Sequence, residues 1–169
     1  MMMKDLPLSG LDGAFRLIGK DWMLITVKKP DGTANPMTAS WGGFGWLWNR
    51  PVVFLFIRPQ RYTFGLAEEE ARFTVSFLGE AHREALRLCG RLSGRDTDKF
   101  AAAGLTPAEL DGVPYPAEAH TVLVCRKLFA EDLKKSAFLD PALLENYPQD
   151  DFHRMYICEI ESAFRKEEL

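Results

Sequence analysis

Cysteine is scarce in this sequence. The 169 residues include three cysteines, Cys89, Cys125 and Cys158, and no two of them form a Cys-x-x-Cys pair. Such wide spacing supports neither a disulfide framework nor a zinc site. We therefore expect three reduced thiols and no metal centre.

Long hydrophobic runs are also lacking. No stretch approaches the roughly 20 apolar residues that a membrane span requires. Residues 1–10 show no basic segment followed by an apolar one, which is the pattern of a secretory leader. We expect a cytoplasmic protein with no membrane partner.

Charge of one sign is not in excess. Lysine and arginine number 21 against 24 aspartates and glutamates, giving a net charge of −3, and no basic stripe is present. This balance disfavours a nucleic-acid partner. It does not exclude a local cluster of cations that binds one phosphate group.

Several common catalytic and nucleotide-binding motifs are missing. The sequence contains no Gly-x-Gly-x-x-Gly, no Gly-Lys-Ser/Thr, no His-Glu-x-x-His and no Gly-x-Ser-x-Gly. A Rossmann dinucleotide site, a phosphate-loop NTPase and the common hydrolases therefore lack support.

What the sequence does contain is a series of strand patterns. The predicted strands are residues 22–27, 35–41, 52–57, 72–78, 120–129 and 153–164. Pro30-Asp31-Gly32 predicts a hairpin turn between the first two. The alternation of Phe73, Val75 and Phe77 with polar residues predicts a half-buried strand.

Helical patterns are fewer and shorter. We predict helices at residues 80–89, ending at Gly90, and 98–103, ending at Gly104. Thr106-Pro107-Ala108-Glu109 has the spacing of a capping box and predicts a helix start. A further helical piece is expected between Asp132 and Asn146. Because strands and helices do not alternate regularly, we predict one mainly β domain over residues 1–169, a β-barrel with peripheral helices.

The segment from Asn35 to Gly43 is poor in large aliphatic residues for a strand. Small residues let a flat ligand approach the backbone, and hydroxyl groups such as those of Thr38 and Ser40 can bond its polar edge. An ordinary polar edge strand explains the same pattern.

Two further segments suggest a phosphate site. Arg58, Gln60, Arg61, Tyr62 and Thr63 directly follow an apolar strand, and two arginines there can neutralise a dianion. Residues 93–100 place Ser93 in a flexible turn and Lys99 in the first turn of a helix, where a cation does not favour the helix dipole. Solvated charges in loops are the alternative for both.

A histidine and an aromatic cluster complete the candidates. His153 lies beside Asp150 and Asp151, which would raise its pKa if they are close in space. Trp41, Phe44, Trp46 and Trp48 could either shield a flat ring or form a hydrophobic dimer patch. A plain surface histidine is the alternative for His153.

In combination, four of these segments resemble the FMN-binding split-barrel family of flavin reductases and flavoredoxins. They are residues 37–42, residues 58–63, residues 93–100 with Gly104-Leu105-Thr106, and residues 153–157 before Glu159-Ile160. Their order and spacing fit over roughly residues 15 to 162. The sequence departs from the family pattern at Cys158, where those enzymes usually have glycine, and a thiol there would narrow the pocket.

The resemblance implies a Greek-key split barrel that forms a homodimer and binds FMN. It implies that the strand Asn35, Met37, Thr38, Ala39, Ser40 and Trp41 lines the isoalloxazine. It implies that the loop from Arg58 to Thr63, with Ser93 and Lys99, holds the phosphate, and that His153 lies near the nicotinamide.

The function implied is transfer of electrons from NADH or NADPH through FMN to a flavin, a metal complex or a protein acceptor. The alternative is a non-enzymatic FMN electron carrier that a partner protein reduces. A storage or sensing module and a plain interaction barrel are the remaining possibilities, because fold analogy alone does not fix function.

Overall fold

The computed structural model describes residues 3–5 and 13–166. The strands of this part of the chain are β1 (Met3–Asp5), β2 (Met23–Lys28), β3 (Ala34–Ala39), β4 (Gly42–Leu47), β5 (Arg50–Ile57), β6 (Arg72–Phe77), β7 (Pro107–Leu110), β8 (Val113–Pro116), β9 (Thr121–Asp132) and β10 (Arg154–Lys166). The helices are α1 (Ala14–Arg16, continued by a π-turn over Leu17–Asp21), α2 (Tyr62–Glu69), α3 (Arg83–Arg91) and α4 (Lys99–Ala103). Short 3₁₀ segments occupy Glu80–His82, Lys135–Ala137 and Pro141–Asn146.

The main sheet is antiparallel and has the strand order β3-β2-β6-β9-β10-β5-β4, with β1 added to β10. Strands that are adjacent in this sheet are often distant in sequence, as in Greek-key folds. One buried cluster draws side chains from β2, β3, β5, β6, β9 and β10, so the sheet curls around an apolar core. Tyr156, Phe73 and Phe77 are the largest fully buried side chains in that part of the chain. A second buried cluster joins β2, β8 and β9 to α3 and α4. The prediction of a mainly β barrel with peripheral helices is confirmed.

The hairpin expected after residues 22–27 is present. β2 and β3 pair with Lys28 opposite Ala34. In the turn, Gly32 adopts a φ of 84°, and the Asp31 carboxylate accepts hydrogen bonds from the main-chain N–H and the hydroxyl of Thr33. The local turn chemistry therefore forms the hairpin that the sequence predicts.

A strand is present at Arg72–Phe77, as expected, but the prediction that it is half-buried is wrong. In β6 both the apolar face and the polar face are covered, because Thr74 and Ser76 are fully buried. The Thr74 hydroxyl donates to the carbonyl oxygen of Pro114, 2.7 Å away in β8. The separate β7–β8 hairpin thus packs over a face that the alternation alone assigned to solvent.

The helix expected over residues 80–89, with Gly90 as its stop, ends two residues later. Glu80–His82 is a 3₁₀ turn, and α3 includes Gly90 and ends at Arg91. Gly90 therefore does not terminate the helix, and a Cβ there would meet the Cβ of Thr38 at an ordinary contact distance of 3.5 Å. The second helix is confirmed, and Gly104, with a φ of 64°, ends it.

The capping box predicted at Thr106–Glu109 is wrong. Pro107–Leu110 forms β7 and pairs with β8 through a two-residue turn at Asp111 and Gly112, whose φ angles of 51° and 74° are typical of a type I′ hairpin. The Glu118 carboxylate accepts from the Thr106 N–H at 3.0 Å. The Asp-Gly turn was the stronger local signal.

The helical piece expected between Asp132 and Asn146 is only partly present. β9 runs through Asp132, which pairs with Arg154 of β10, so the extended ladder covers the start of the segment. Only the two short 3₁₀ segments follow. Pro141 opens the second, where its missing N–H costs nothing.

The three cysteines are buried and unpaired. No helix within the described ranges is long and apolar enough to cross a membrane. Among the same residues, no group of three His, Cys, Asp or Glu side chains is placed to hold a metal ion.

Candidate functional site

Three adjoining clefts open around the C-terminal end of β3, near Ala39. The first, of about 300 Å³, lies between β3 and the end of β5. The second, of about 360 Å³, lies between β3 and α3, and the third, of about 210 Å³, lies between the β5–α2 loop and residues 91–99. Thr38, Ala39 and Ser40 line both of the first two, and Arg61 lines the first and third. The three clefts therefore form one continuous surface, which we call the β3 cleft.

The wall of the β3 cleft is the strand that the sequence singled out. Met37, Thr38, Ala39, Ser40 and Trp41 all line it. The Thr38 hydroxyl donates to the carbonyl oxygen of Leu86 at 2.6 Å, which ties the strand to α3. Because these side chains are mostly small, a planar molecule can lie close to the strand backbone.

The third part of the cleft is rich in cations; we call it the cation pocket. Arg61, Arg91, Arg95 and Lys99 line it together with Gln60, Tyr62, Thr63 and Ser93, and no carboxylate of the described residues does. Arg61 donates to the carbonyl oxygen of Gly90 at 2.8 Å, and Arg95 donates to that of Gln60 at 3.2 Å. Because carbonyl groups do not neutralise guanidinium charge, the pocket favours an anion.

Lys99 is almost fully buried in this pocket. Its Nζ donates to the carbonyl oxygen of Cys89 at 2.8 Å. Burial lowers the pKa of Lys99 to about 8, and Arg61 nearby acts in the same direction, while Cys89 opposes it. A bound anion would stabilise the charged ammonium and reverse this depression.

Asn35 lies beneath the floor of the pocket, against the lining residues Thr63 and Gly94. Its amide nitrogen donates to the Thr63 hydroxyl at 2.8 Å, and Asn35 is 2% exposed. A Cβ on Gly94 would lie 1.8 Å from the Asn35 Oδ1. Only glycine therefore lets the 93–95 turn close against β3. Thr63 does not cap α2, whose N-cap residue is Arg61.

Arg58 and Gln60 both contact Asp151, and of the two only Gln60 also lines the cation pocket among the described residues. Arg58 forms a short ion pair with Asp151 and donates to the carbonyl oxygen of Asn146 at 2.8 Å. The Gln60 amide donates to the same Asp151 carboxylate at 2.7 Å. Arg58 thus lines the first part of the cleft, and Arg61 is the arginine of this loop that reaches the cation pocket.

His153 lies at the opposite end of the cleft from Lys99. The residue is 8% exposed, and its ring lies 5.1 Å, between ring centroids, from that of Trp41. Its Nδ1 is 2.9 Å from the hydroxyl oxygen of Tyr147. The candidate residues therefore form an aromatic end and a cationic end joined by the strand wall.

The expected direction of the His153 pKa is wrong. Burial and the nearby Arg58 lower the pKa of His153 to about 4, and the opposing effect of Asp151 is smaller. Asp151 is already paired with Arg58, and Asp150 pairs with Lys135 at 2.9 Å. His153 is therefore neutral near physiological pH.

The aromatic cluster divides between two roles. Trp41 lines the cleft, and Phe44 packs edge-on against Phe77 in the core, with 6.2 Å between centroids. Trp46 and Trp48 are 70% and 52% exposed on the β4–β5 hairpin.

Cys158, where a glycine was expected, does not narrow the cleft. It lies fully buried in the barrel core, and burial raises the pKa of its thiol to about 12. Cys89 accepts a hydrogen bond from Lys99 through its carbonyl oxygen, and burial raises the pKa of its thiol to about 11.

Some cleft residues were not predicted. Arg91 and Arg95 join the cation pocket, and Tyr147 contacts His153. Basic residues at the end of a helix and in the following turn were a usable signal for the first two. No sequence pattern marked Tyr147, because its contact depends on the fold of the 133–152 connection.

Nearly the whole chain matches one known protein family. The family model described as the flavin reductase like domain matches residues 15–168. A search of curated proteins returned no match.

Solved structures share the fold at low sequence identity. An FMN-binding domain of a flavin reductases-like enzyme from Shewanella baltica has a TM-score of 0.70 at 18% identity, covering 97% of this chain and 77% of that one. The flavoredoxin of Desulfovibrio vulgaris has a TM-score of 0.70 at 23% identity, covering 98% and 78%. An NADH:FAD oxidoreductase from Streptomyces globisporus, in complex with NAD and FAD fragments, has a TM-score of 0.65 at 18% identity, covering 86% and 74%.

These similarities confirm the split-barrel fold. With the family model matching nearly the whole chain, the protein belongs to the flavin reductase like domain family.

Proposed function

We propose that this protein is a flavin oxidoreductase that binds FMN in the β3 cleft and passes electrons from NADH or NADPH to a flavin, a metal complex or a protein acceptor. The observation that carries the proposal is the cleft itself. A wall of small residues leads to a pocket of four cations with no carboxylate in its lining.

The residues present fit FMN in shape and charge. Arg61, Lys99 and Ser93, with Arg91 and Arg95, would hold the phosphate dianion. Thr38, Ala39 and Ser40 would face the isoalloxazine. The close packing of Gly94 on Asn35 keeps the pocket floor in place. These contacts would favour a phosphorylated flavin over riboflavin.

Bound FMN would supply the two-electron chemistry, and the chain would bind and orient both it and its redox partner. Trp41 and His153 would form one side of the second substrate's site. Since the pKa of His153 is near 4, it would act as a neutral hydrogen-bonding group and not as a general acid. The nicotinamide donor is supported by the neighbour that was solved with NAD and FAD fragments.

We also propose that the protein is a homodimer. β4 is an edge strand of the sheet, and it carries Trp46 next to Trp48 of the hairpin turn. Phe129, 40% exposed, lies 6.3 Å from Trp48 between ring centroids. Such an exposed aromatic patch favours association. Sedimentation of Trp46→Lys should show a shift toward monomer, and an unchanged mass would contradict this interface.

The decisive experiment is an anaerobic titration followed by visible absorbance. The purified protein is mixed with FMN and then with NADH or NADPH. A bound flavin spectrum that bleaches with either nucleotide supports the reductase and identifies its donor. A bound spectrum that bleaches with neither supports the electron carrier instead. Failure to bind FMN at micromolar concentration would overturn the assignment of the cleft.

A further inference from the structure

We propose that Tyr147 is a positioning residue that fixes the tautomer of His153, so that the imidazole presents its Nε2–H to the β3 cleft. The geometry of the aromatic end of the cleft supports the assigned tautomer. The effect of that tautomer on catalysis rests on the proposed function.

The hydrogen bond between the two residues has a preferred direction. The Tyr147 hydroxyl lies 2.9 Å from His153 Nδ1, and no other side-chain or backbone acceptor for that hydroxyl occurs among the described residues. If Nδ1 carried the proton, the buried hydroxyl hydrogen would have no acceptor, which costs free energy. The favoured arrangement has the Tyr147 O–H donating to an unprotonated Nδ1.

A neutral imidazole carries one proton, so this arrangement places it on Nε2. His153 makes no side-chain hydrogen bond in the described part of the chain other than the one to Tyr147. Its ring nevertheless lines the first part of the cleft. The Nε2–H is therefore a donor available to whatever occupies that space.

Neighbouring rings keep the imidazole from turning. Trp41 lies on one side, with 5.1 Å between centroids, and Phe56 contacts it edge-on at 6.5 Å. The Tyr147 ring is nearly perpendicular to it, at 83°. A rotation of the histidine would break the bond to Tyr147 and collide with these rings.

Tyr147 is itself held in place. The Arg58 guanidinium lies 5.2 Å above its ring, and Phe152 packs against it with 4.8 Å between centroids. Arg58 is fixed in turn by Asp151 and by the carbonyl oxygen of Asn146. The charged groups facing this end of the cleft are thus Arg58 and Asp151, which are paired with each other.

A fixed donor selects the second substrate by its acceptor. The Nε2–H would bond a neutral oxygen on a flat ring lying against Trp41, such as the carboxamide oxygen of a pyridine nucleotide or the carbonyl oxygen of a conjugated acceptor. It would not favour a cation, because an N–H donor presents neither a lone pair nor a negative charge to one. The chemical class is a planar ring that bears a carboxamide or a carbonyl group.

The test is the tautomer of His153, measured by long-range ¹H–¹⁵N NMR on histidine-labelled full-length protein with FMN added. The signals are assigned with His153→Gln. We expect His153 to have Nδ1 unprotonated and Nε2 protonated, unchanged between about pH 5 and about pH 8. In Tyr147→Phe we expect a mixture of tautomers. Tyr115→Phe, which removes a hydroxyl from a buried tyrosine outside the cleft, should leave the signals unchanged.

Steady-state kinetics provide the second measurement. Tyr147→Phe should raise the KM for the pyridine nucleotide by roughly three- to tenfold, the effect of one misplaced hydrogen bond, while FMN affinity is unchanged. A protonated Nδ1 in the wild-type protein, or an unaltered tautomer in Tyr147→Phe, would overturn the proposal. The tautomer is read without turnover, so a protein that does not oxidise NADH or NADPH would refute the proposed function separately.

Discussion

The guanidinium of Arg61 donates a hydrogen bond to the carbonyl oxygen of Gly90, 2.8 Å away. This bond joins the loop after β5 to the end of α3, two segments that are 29 residues apart in sequence. Within residues 3–5 and 13–166, Arg61 has no carboxylate partner, and its charge lies at the boundary between the strand wall and the cation pocket. The same contact therefore builds the cleft and gives it a positive end.

Replacing Arg61 should weaken FMN binding much more than riboflavin binding. Loss of a charge-assisted hydrogen bond to phosphate costs about 1.5–3 kcal/mol, which corresponds to roughly ten- to a hundredfold in Kd. Arg61→Gln is compared with wild type by flavin fluorescence quenching. Arg72→Gln, which removes an arginine paired with Glu161 on the surface, is the matched control. Equal losses of FMN and riboflavin affinity would argue against a phosphate at Arg61.

FMN affinity should fall as pH rises through about 8. The pKa of Lys99 is lowered to about 8 by burial, so the free protein loses this positive charge above that pH. Below it, Lys99 is charged and attracts the phosphate. Binding above pH 8 must therefore take up a proton, because the bound dianion raises the pKa of the lysine. Titrations across this range should show the effect for FMN and not for riboflavin, and Lys99→Gln should remove it. A slope that persists in Lys99→Gln would assign the titration to another group.

Gly94→Ala should lower the stability of the protein and its FMN affinity together. The added Cβ would lie 1.8 Å from the Asn35 Oδ1, so the turn or the strand must move. Overpacking of this kind costs about 1–3 kcal/mol. Gly65→Ala, in α2 with open space around it, should be neutral or slightly stabilising, because alanine is the better helix former. Urea denaturation with equal curves for Gly94→Ala and wild type would show that the turn is not closely packed.

His153 should make the protein sensitive to mild acid. Its pKa is lowered from 6.5 to about 4, so the unfolded state binds more protons between these two values. Stability that is present above about pH 6.5 is then lost as the pH falls toward 4, and the total is on the order of 3 kcal/mol. His153→Gln should show a flatter dependence of unfolding free energy on pH in this window than wild type. His82→Gln, which changes a histidine of the Glu80–His82 turn outside the clefts, is the control. Parallel curves for His153→Gln and wild type would contradict a buried neutral imidazole.

Local patterns in the sequence determined much of the fold. Apolar runs and the Pro-Asp-Gly turn located the β2–β3 hairpin, and Gly104 ended α4 as expected. These features succeed because strand period and turn conformation depend on neighbouring residues alone. The order of four motifs also identified the family. The match of the family model to residues 15–168 confirms this identification.

Only the tertiary structure decided what covers each element and which charges are partnered. The pattern of β6 placed Thr74 on a solvent face, and the β7–β8 hairpin buried it. Arg58 and Arg61 are equivalent by sequence, yet Asp151 pairs with the first and the second is left to the cation pocket. The histidine's pKa was expected to rise beside two aspartates, but burial and Arg58 lower it. Burial and ion pairing depend on residues brought together from distant parts of the chain, so neighbouring sequence cannot specify them.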